Sequence, residues 1–514
     1  MKMDIPDVDV IFVDGTFYMI TTTMHFFPGV QILRSYDLIH WEHAAYVCES
    51  IDGTDAQRLE NGKQIYGKGM WAASLRYHEG LFYVVFVCND THKTYLYTAP
   101  AVEGPWKKST IEGFYHDCSL LFDEGKAYLV YGNRDVWLTE LNDDLTGPRE
   151  GGLHRIIVSD AGNPSLGYEG SHLYRIGDRY YVFFIHSLRD RWRRVEAMFS
   201  ADSLEGEFTG GDIFDDDLGF MDSGIAQGGV VEGPAGVWHA ILFQDRGAVG
   251  RIPVLLPVVY TGSGFVFGTE GKATEEIEAA DLKPGYTYAP LYGSDDFRYD
   301  PKKKYTEDPR HYGCYGFPSF WQFNHEPDLS LVTCDGEKGA LRVKTDRVVT
   351  NILHAKNILT QRMLAPGCAG EVTLDGARLR DGDFAGIVTF QGDYLQVGIR
   401  RREGRLYAFA ATYTNDSGDV WSLGDGPAAV REEIPLTGDS LRVRLEVSFA
   451  DGKTILKDTA RAYLCTEEGK QQIGPEQELR FRLDHFTGCR FGLFVMSTES
   501  AGGEAGFSDF RYEV

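Results

Sequence analysis

From residue 1 to about 265 the chain alternates short apolar runs with Gly- and Asp-rich turns, and one nine-residue unit recurs five times. The copies occupy residues 10–18, 75–83, 120–128, 173–181 and 230–238. In Val10-Ile11-Phe12-Val13-Asp14-Gly15-Thr16-Phe17-Tyr18 a strand-like alternation meets a turn that needs positive φ and then resumes, which is the pattern of a β-hairpin. The aromatics closing the units, Tyr18, Tyr83, Tyr128, Tyr180 and Trp238, lie 65, 45, 52 and 58 residues apart. That spacing suits one four-stranded propeller blade per copy. A third strand and an outer turn recur at 33–41, 97–106 and 199–208. Five copies predict five blades. A generic β-meander is the plain alternative, and the absence of any Trp-Asp dipeptide argues against a WD40-type propeller.

Beyond residue 265 the repeat stops. Residues 268–291 read as a charged connector with one helical turn around Glu275–Asp281. From 293 to 514, alternating runs such as Ala385–Phe390 and Tyr394–Ile399, punctuated by Gly-Asp turns, predict a β-sandwich. The expected fold is therefore all-β: a five-bladed β-propeller over 1–292, connector included, followed by a β-sandwich over 293–514. Asp295-Asp296-Phe297-Arg298-Tyr299 is echoed by Ser508-Asp509-Phe510-Arg511-Tyr512, which suggests equivalent edge roles for the first and last sandwich strands. The 59 glycines and 13% aromatic content fit this reading.

A formal net charge of −25 repels polyphosphate, so neither nucleic acid nor an anionic membrane is an expected partner. No run approaches the roughly 18 apolar residues of a membrane span. The N-terminal residues show no apolar signal core, and a cytoplasmic location is expected. The eight cysteines form no CxxC pair and read as scattered buried thiols. The sequence sets no oligomeric state.

Counting back eleven residues from each closing aromatic reaches Asp7, Ala72, Asp117, Glu169 and Gln227. The first strand of each propeller blade lines the central channel, so three carboxylic acids are predicted in one funnel. Crowded like charges raise at least one pKa and seldom persist without a use. An acidic chain also supplies strand-start acids freely, which is the bland alternative; the shared offset weighs against it. Facing carboxyls suit glycosidic bond hydrolysis, in which one acid protonates the leaving oxygen and another activates water.

At these positions the chain resembles glycoside hydrolase family 43. Pro6-Asp7-Val8-Asp9 resembles the family's base motif, and Phe26-Phe27-Pro28-Gly29-Val30-Gln31-Ile32 with Ser35-Tyr36-Asp37-Leu38 resembles its β-xylosidase branch. Met70-Trp71-Ala72 is similar to the blade-two aromatic motif, Asp117-Cys118-Ser119-Leu120 to the pKa-modulator motif, and Tyr168-Glu169-Gly170-Ser171-His172 to the general-acid motif. Gly250-Arg251 is similar to the site of the sugar-contacting arginine, and the rear half resembles the accompanying β-sandwich. The resemblance implies Asp7 as general base, Glu169 as general acid and Asp117 as the group that keeps the acid protonated. It also implies an inverting exo-hydrolase that releases xylose or arabinose from xylan- or arabinoxylan-derived oligosaccharides. No cofactor is required. Where many relatives carry a blade-five histidine near a central cation this chain has Gln227, a poorer ligand, so Ca²⁺ is at most structural and no metal ligand is assigned.

Trp71, Arg251, Gln227, His25, Phe26, Phe27 and Met24 are the expected substrate-binding residues; His25, Phe26 and Phe27 lie in a loop crossing the funnel mouth, with plain core aromatics as the equal alternative, and Met24 stands where some relatives place an aromatic. Asp9 and His172 read as structural, and Cys118 as turned away from the funnel. The rivals are a non-catalytic carbohydrate-binding propeller, an α-L-arabinofuranosidase without xylosidase activity, and a retaining fructosidase-type enzyme, whose Arg-Asp-Pro motif this chain lacks. The sandwich is expected to send a loop toward the funnel and narrow it to a pocket.

Overall fold

The computed structural model describes residues 1–299 and 314–514. Five four-stranded antiparallel sheets follow one another along the chain. Blade one comprises Asp9–Val13, Thr16–Thr21, Gly29–Ser35 and Glu42–Cys48; blade two, Met70–His78, Leu81–Cys88, Lys93–Ala99 and Lys107–Ile111. Blade three comprises Ser119–Asp123, Lys126–Asn133, Asp135–Leu141 and His154–Ser159. Blade four comprises Glu169–Ile176, Arg179–Ser187, Arg194–Ala201 and Thr209–Phe214; blade five, Ile225–Glu232, Trp238–Asp245, Arg251–Tyr260 and Phe265–Phe267. The first strands touch in a closed ring, blade five returning to blade one. Asp14-Gly15, Glu79-Gly80 and Glu124-Gly125 all have positive φ at both turn residues, as a two-residue hairpin requires.

Side chains stitch the ring from within. Asp9 Oδ2 accepts the Leu75 N–H (2.8 Å), Ser74 Oγ that of Leu120 (3.1 Å) and Ser119 Oγ that of Leu173 (2.9 Å), so three successive inner strands are each bonded to the next. Arg76 fills the axis, donating to Asp9 Oδ2 (2.6 Å), to the Leu120 carbonyl and to Ser119 Oγ (both 2.8 Å). His172 Nδ1 lies 3.3 Å from Asp9 Oδ1. Asp9 and His172 are thus structural, as expected.

The sandwich pairs two sheets. One runs Gln322–Phe323, Leu359–Arg362, Arg490–Ser497, Asp383–Phe390, Tyr394–Arg402, Arg405–Tyr413, Ala429–Pro435. The other runs Val332–Asp335, Ala340–Lys344, Glu504–Glu513, Gly367–Asp375, Ser440–Ser448, Thr459–Thr466, Gly469–Gln472, with Gln477–Glu478 beside Thr459–Thr466. Two expectations are corrected here. The last strand lies inside its sheet, between Ala340–Lys344 and Gly367–Asp375, because Phe510 and its neighbours fill the core; its echo at 295–299 is no strand and meets it in the single bridge Asp295↔Phe510. The connector around Glu275–Asp281 forms no helical turn; Glu275, Glu276, Glu278 and Asp281 face solvent, and only Ala279 and the following Leu282 pack on the core.

The two domains share one hydrophobic cluster that runs from blades one and two into both sheets of the sandwich. Phe27 and Phe323 exchange backbone hydrogen bonds (3.0 and 2.7 Å) across the boundary. On the blade-five side, Asp4 Oδ1 accepts the Arg251 N–H and Oδ2 the Gly488 N–H, both at 2.8 Å. A Cβ at Gly488 would stand 2.2 Å from the Val249 carbonyl, so only glycine permits this approach.

The Asp9 network gives a stability prediction. Burial alone would raise the Asp9 carboxyl, but Arg76, then His172 and the Leu75 N–H, outweigh it and lower the group to about 2. A depressed carboxyl stabilises the fold above its unfolded pKa and loses that contribution as pH falls through the folded one. Asp9→Asn should therefore cost about 2–4 kcal/mol at neutral pH. Urea unfolding at a series of pH values should show the deficit shrinking between about pH 4 and pH 2.

Candidate active site

The functional side chains sit where the inner strands begin. Asp7, Asp117 and Gln227 have φ of 52, 48 and 62°, and in blade four the residue with this left-handed backbone is Gly170 (φ 65°). The hairpin registers agree: Ile11 faces Tyr18, Leu121 faces Tyr128, and Tyr174 faces Tyr181. Tyr181, not Tyr180, is thus the counterpart of Tyr18, and the count back from it lands on Gly170. Glu169 stands one residue earlier, level with His116 in blade three and Trp71 in blade two. The shared offset of three acids is corrected to two acids in one ring and one acid in the ring beside it. A Cβ at Gly170 would lie 2.7 Å from the Gln227 side chain, so glycine lets Gln227 pack beside the acid.

The three acids nevertheless converge. His116 Nε2 lies 3.5 Å from Asp117 Oδ2 and 3.4 Å from Glu169 Oε2, and Asn133 Nδ2 donates to the same Glu169 oxygen at 2.5 Å. Burial, then the charges of Glu169 and Asp7, push Asp117 up to about 7 against the pull of His116 and Arg251. Burial opposes charging His116, yet Asp117, Glu169 and Asp7 together push it up to about 9. The Trp71 ring packs edge-on against His116 at 5.3 Å, with its Nε1 donating to the Gly67 carbonyl (3.2 Å). Among the described residues, His116, Asp117 and Glu169 are the one group of three metal-capable side chains whose ligand atoms all lie within 4.8 Å. Gln227 offers a neutral side-chain amide, and its backbone N–H goes to Glu196 Oε2 (2.8 Å).

Opposite this cluster, Arg251 is almost wholly buried and donates from Nη1 to Asp7 Oδ1 (2.7 Å). Its Nη2 donates to the carbonyl of Phe486 (3.1 Å), whose ring lies 4.6 Å from the guanidinium carbon. Phe486 belongs to the sandwich segment 482–488, so this is the loop that reaches the funnel. The Arg251 Nε–H has no protein acceptor.

The loop after Thr21 departs from expectation. His25, Phe26 and Phe27 are 0–1% exposed. Phe26 lies under Arg490, 3.5 Å from its guanidinium carbon, and Phe27 pairs with Phe323, which makes both rings domain-interface core and not a sugar platform. His25 sits between Tyr66, His325 and His485; burial, His485, His325 and Arg490 drive its pKa well below the usual imidazole range. Met24 is buried too, and its backbone pairs with Met70. Cys118 is a buried free thiol in the core between blades two and three, as expected. His116, Asn133 and Phe486 were missed. His116 adjoins Asp117 and would have emerged from the corrected blade-four register; Asn133 and Phe486 carry no local signal.

Comparison with known proteins agrees with this geometry. Residues 1–201 match the glycosyl hydrolases family 43, and residues 317–513 match the β-xylosidase C-terminal concanavalin A-like domain. A β-xylosidase of Formosa agariphila is 23% identical over 100% of this chain and 89% of its own length. A non-reducing end α-L-arabinofuranosidase of Bacteroides ovatus is 24% identical over 88% of this chain and 84% of its own. A solved bifunctional GH43-CE protein of Bacteroides eggerthii is 36% identical with a TM-score of 0.88; it covers all of this chain, which spans 63% of that protein. Both halves of the chain thus match in the order that the fold displays, and the chain belongs to glycoside hydrolase family 43.

Proposed function

We propose that this glycoside hydrolase removes single xylose or arabinose units from the ends of xylan- or arabinoxylan-derived oligosaccharides, with inversion and without a dissociable cofactor. One observation carries the reading: Asp7, held by Arg251, and Glu169, held by Asn133 and His116, rise from non-adjacent blades into one funnel that Phe486 narrows. A funnel narrowed by the second domain suits removal of terminal units over cleavage along a polymer.

In this mechanism Asp7 takes a proton from a water that attacks the anomeric carbon, while Glu169 gives a proton to the departing glycosidic oxygen. Arg251 orients the Asp7 carboxylate and balances its charge. The proton that Glu169 delivers belongs to a cluster in which Asp117 titrates near neutrality and His116 above it. His116 is a positioning residue, its Nε2 set between the two carboxyls. Trp71 presents a half-buried indole beside the acid. Relatives named for xylosidase and for arabinofuranosidase activity both align, so the choice between the two sugars rests on assay.

The paired nitrophenyl β-D-xyloside and α-L-arabinofuranoside are the direct test, and wild type should hydrolyse at least one. Glu169→Gln should lower turnover of oligosaccharides about 10²–10⁴-fold. It should spare the nitrophenyl glycosides far more, since nitrophenolate leaves without a proton. Equal losses on both substrate types would remove Glu169 from the acid role. A second test reads His116 through stability. Its raised pKa stabilises the fold below about 6.5 and that contribution is lost as pH rises through about 9. His116→Asn should accordingly be destabilised most at pH 6 and match wild type above about pH 10 in urea unfolding; a pH-independent gap would mean His116 carries no charge.

A further inference from the structure

A second tryptophan stands outside the funnel in a setting that the catalytic residues do not explain. Trp421 is 58% exposed, on the sandwich loop that joins Arg405–Tyr413 to Ala429–Pro435. An exposed indole is uncommon unless it meets something. Trp41, Trp71, Trp106 and Trp321 each donate their indole N–H within the protein, whereas those of Trp137, Trp192, Trp238 and Trp421 have no acceptor among the described residues.

The loop that carries it is held firmly. The Trp421 backbone N–H goes to Asp419 Oδ1 (3.0 Å), and the Ser417 hydroxyl (3.0 Å) and the Ser422 backbone N–H (3.1 Å) both go to the Asp419 carbonyl. Asn415 Nδ2 closes the loop on the Ser422 carbonyl (2.8 Å) and reaches Asp484 Oδ2 (3.1 Å). Arg482 completes the joint, donating to the Asn415 carbonyl (3.2 Å) and to the same Asp484 oxygen (2.8 Å). The loop is thereby fixed to segment 482–488, which bears Phe486. The Trp421 and Phe486 rings lie 6.1 Å apart at 61°, and Phe486 in turn covers Arg251, the partner of the base. Trp421 is therefore three contacts from Asp7, through Phe486 and Arg251, on the solvent side of the ring that narrows the funnel.

We propose that Trp421 is the stacking platform for a sugar on the leaving-group side of the scissile bond, beyond the unit being released. The proposal rests on the glycosidase reading above. A flat apolar face with a free N–H suits the C–H face and hydroxyl edge of a neutral pyranose. Asp416, Asp419 and Asp425 on the same loop, in a chain of net charge −25, disfavour an acidic ligand. Holding the loop rigid in advance lowers the ordering cost of binding a flexible oligosaccharide.

The test measures kcat/KM on a nitrophenyl glycoside and on pentose oligosaccharides of two to five units, for wild type, Trp421→Ala, Trp421→Phe and Val420→Ala. Trp421→Ala should lower the ratio of long-oligosaccharide to nitrophenyl kcat/KM about tenfold, mainly through KM. Trp421→Phe should restore most of that ratio, and Val420→Ala, an exposed neighbour with no assigned role, should leave it as in wild type. A Trp421→Ala ratio equal to that of wild type overturns the platform while leaving the glycosidase reading intact. So does light scattering that shows a wild-type dimer which Trp421→Ala dissociates, since the occupant would then be a second copy. Wild type inactive on every glycoside overturns both readings together.

Discussion

Arg251 is shared between the two halves of the chain, and the pocket depends on that sharing. One arm of its guanidinium holds Asp7 and the other holds the Phe486 carbonyl, while its backbone N–H is fixed by Asp4, which also binds Gly488. A charge this deeply buried is tolerated only when paired and hydrogen-bonded, so the docked sandwich and the ionised base stabilise one another. The catalytic face is thereby a property of the docked pair of domains. The propeller alone would leave the Phe486-facing arm without its acceptor and the funnel wide.

The second constraint is charge. Burial, and after it the charges of Glu169 and Asp7, push Asp117 to about 7, and two cations, Arg251 and His116, stand among the three acids. Arg251 pairs with Asp7, and His116 stands between Asp117 and Glu169. In the proposed mechanism this places a base and a proton donor in one funnel, which general acid–base cleavage of a glycoside requires.

Much of this was legible in the sequence because it is local. Hairpins with Asp-Gly or Glu-Gly turns announce themselves, and the repeat then implies a ring. The outward turn of Cys118 follows from strand alternation, and Gln227 in place of a blade-five histidine follows from the family resemblance. What escaped reading depended on register or on distant packing. Residues 173–181 end in two tyrosines, and counting from Tyr180 in place of Tyr181, the last position of the unit, shifts blade four by the single step that hid His116. Phe26 and Phe27 look like any aromatic pair near a funnel; the sandwich residues Arg490 and Phe323 turn them into interface core. Phe486 and Trp421 lie far along the chain from the acids and come near them only when the domains dock.

Inversion requires Asp7 to direct water to the face of the sugar opposite the bond that Glu169 protonates. Proton NMR of the first-formed sugar, recorded before mutarotation, reads this step. The released pentose should first appear with the anomeric configuration opposite to that of the substrate. A product that first appears with the substrate's configuration would contradict it.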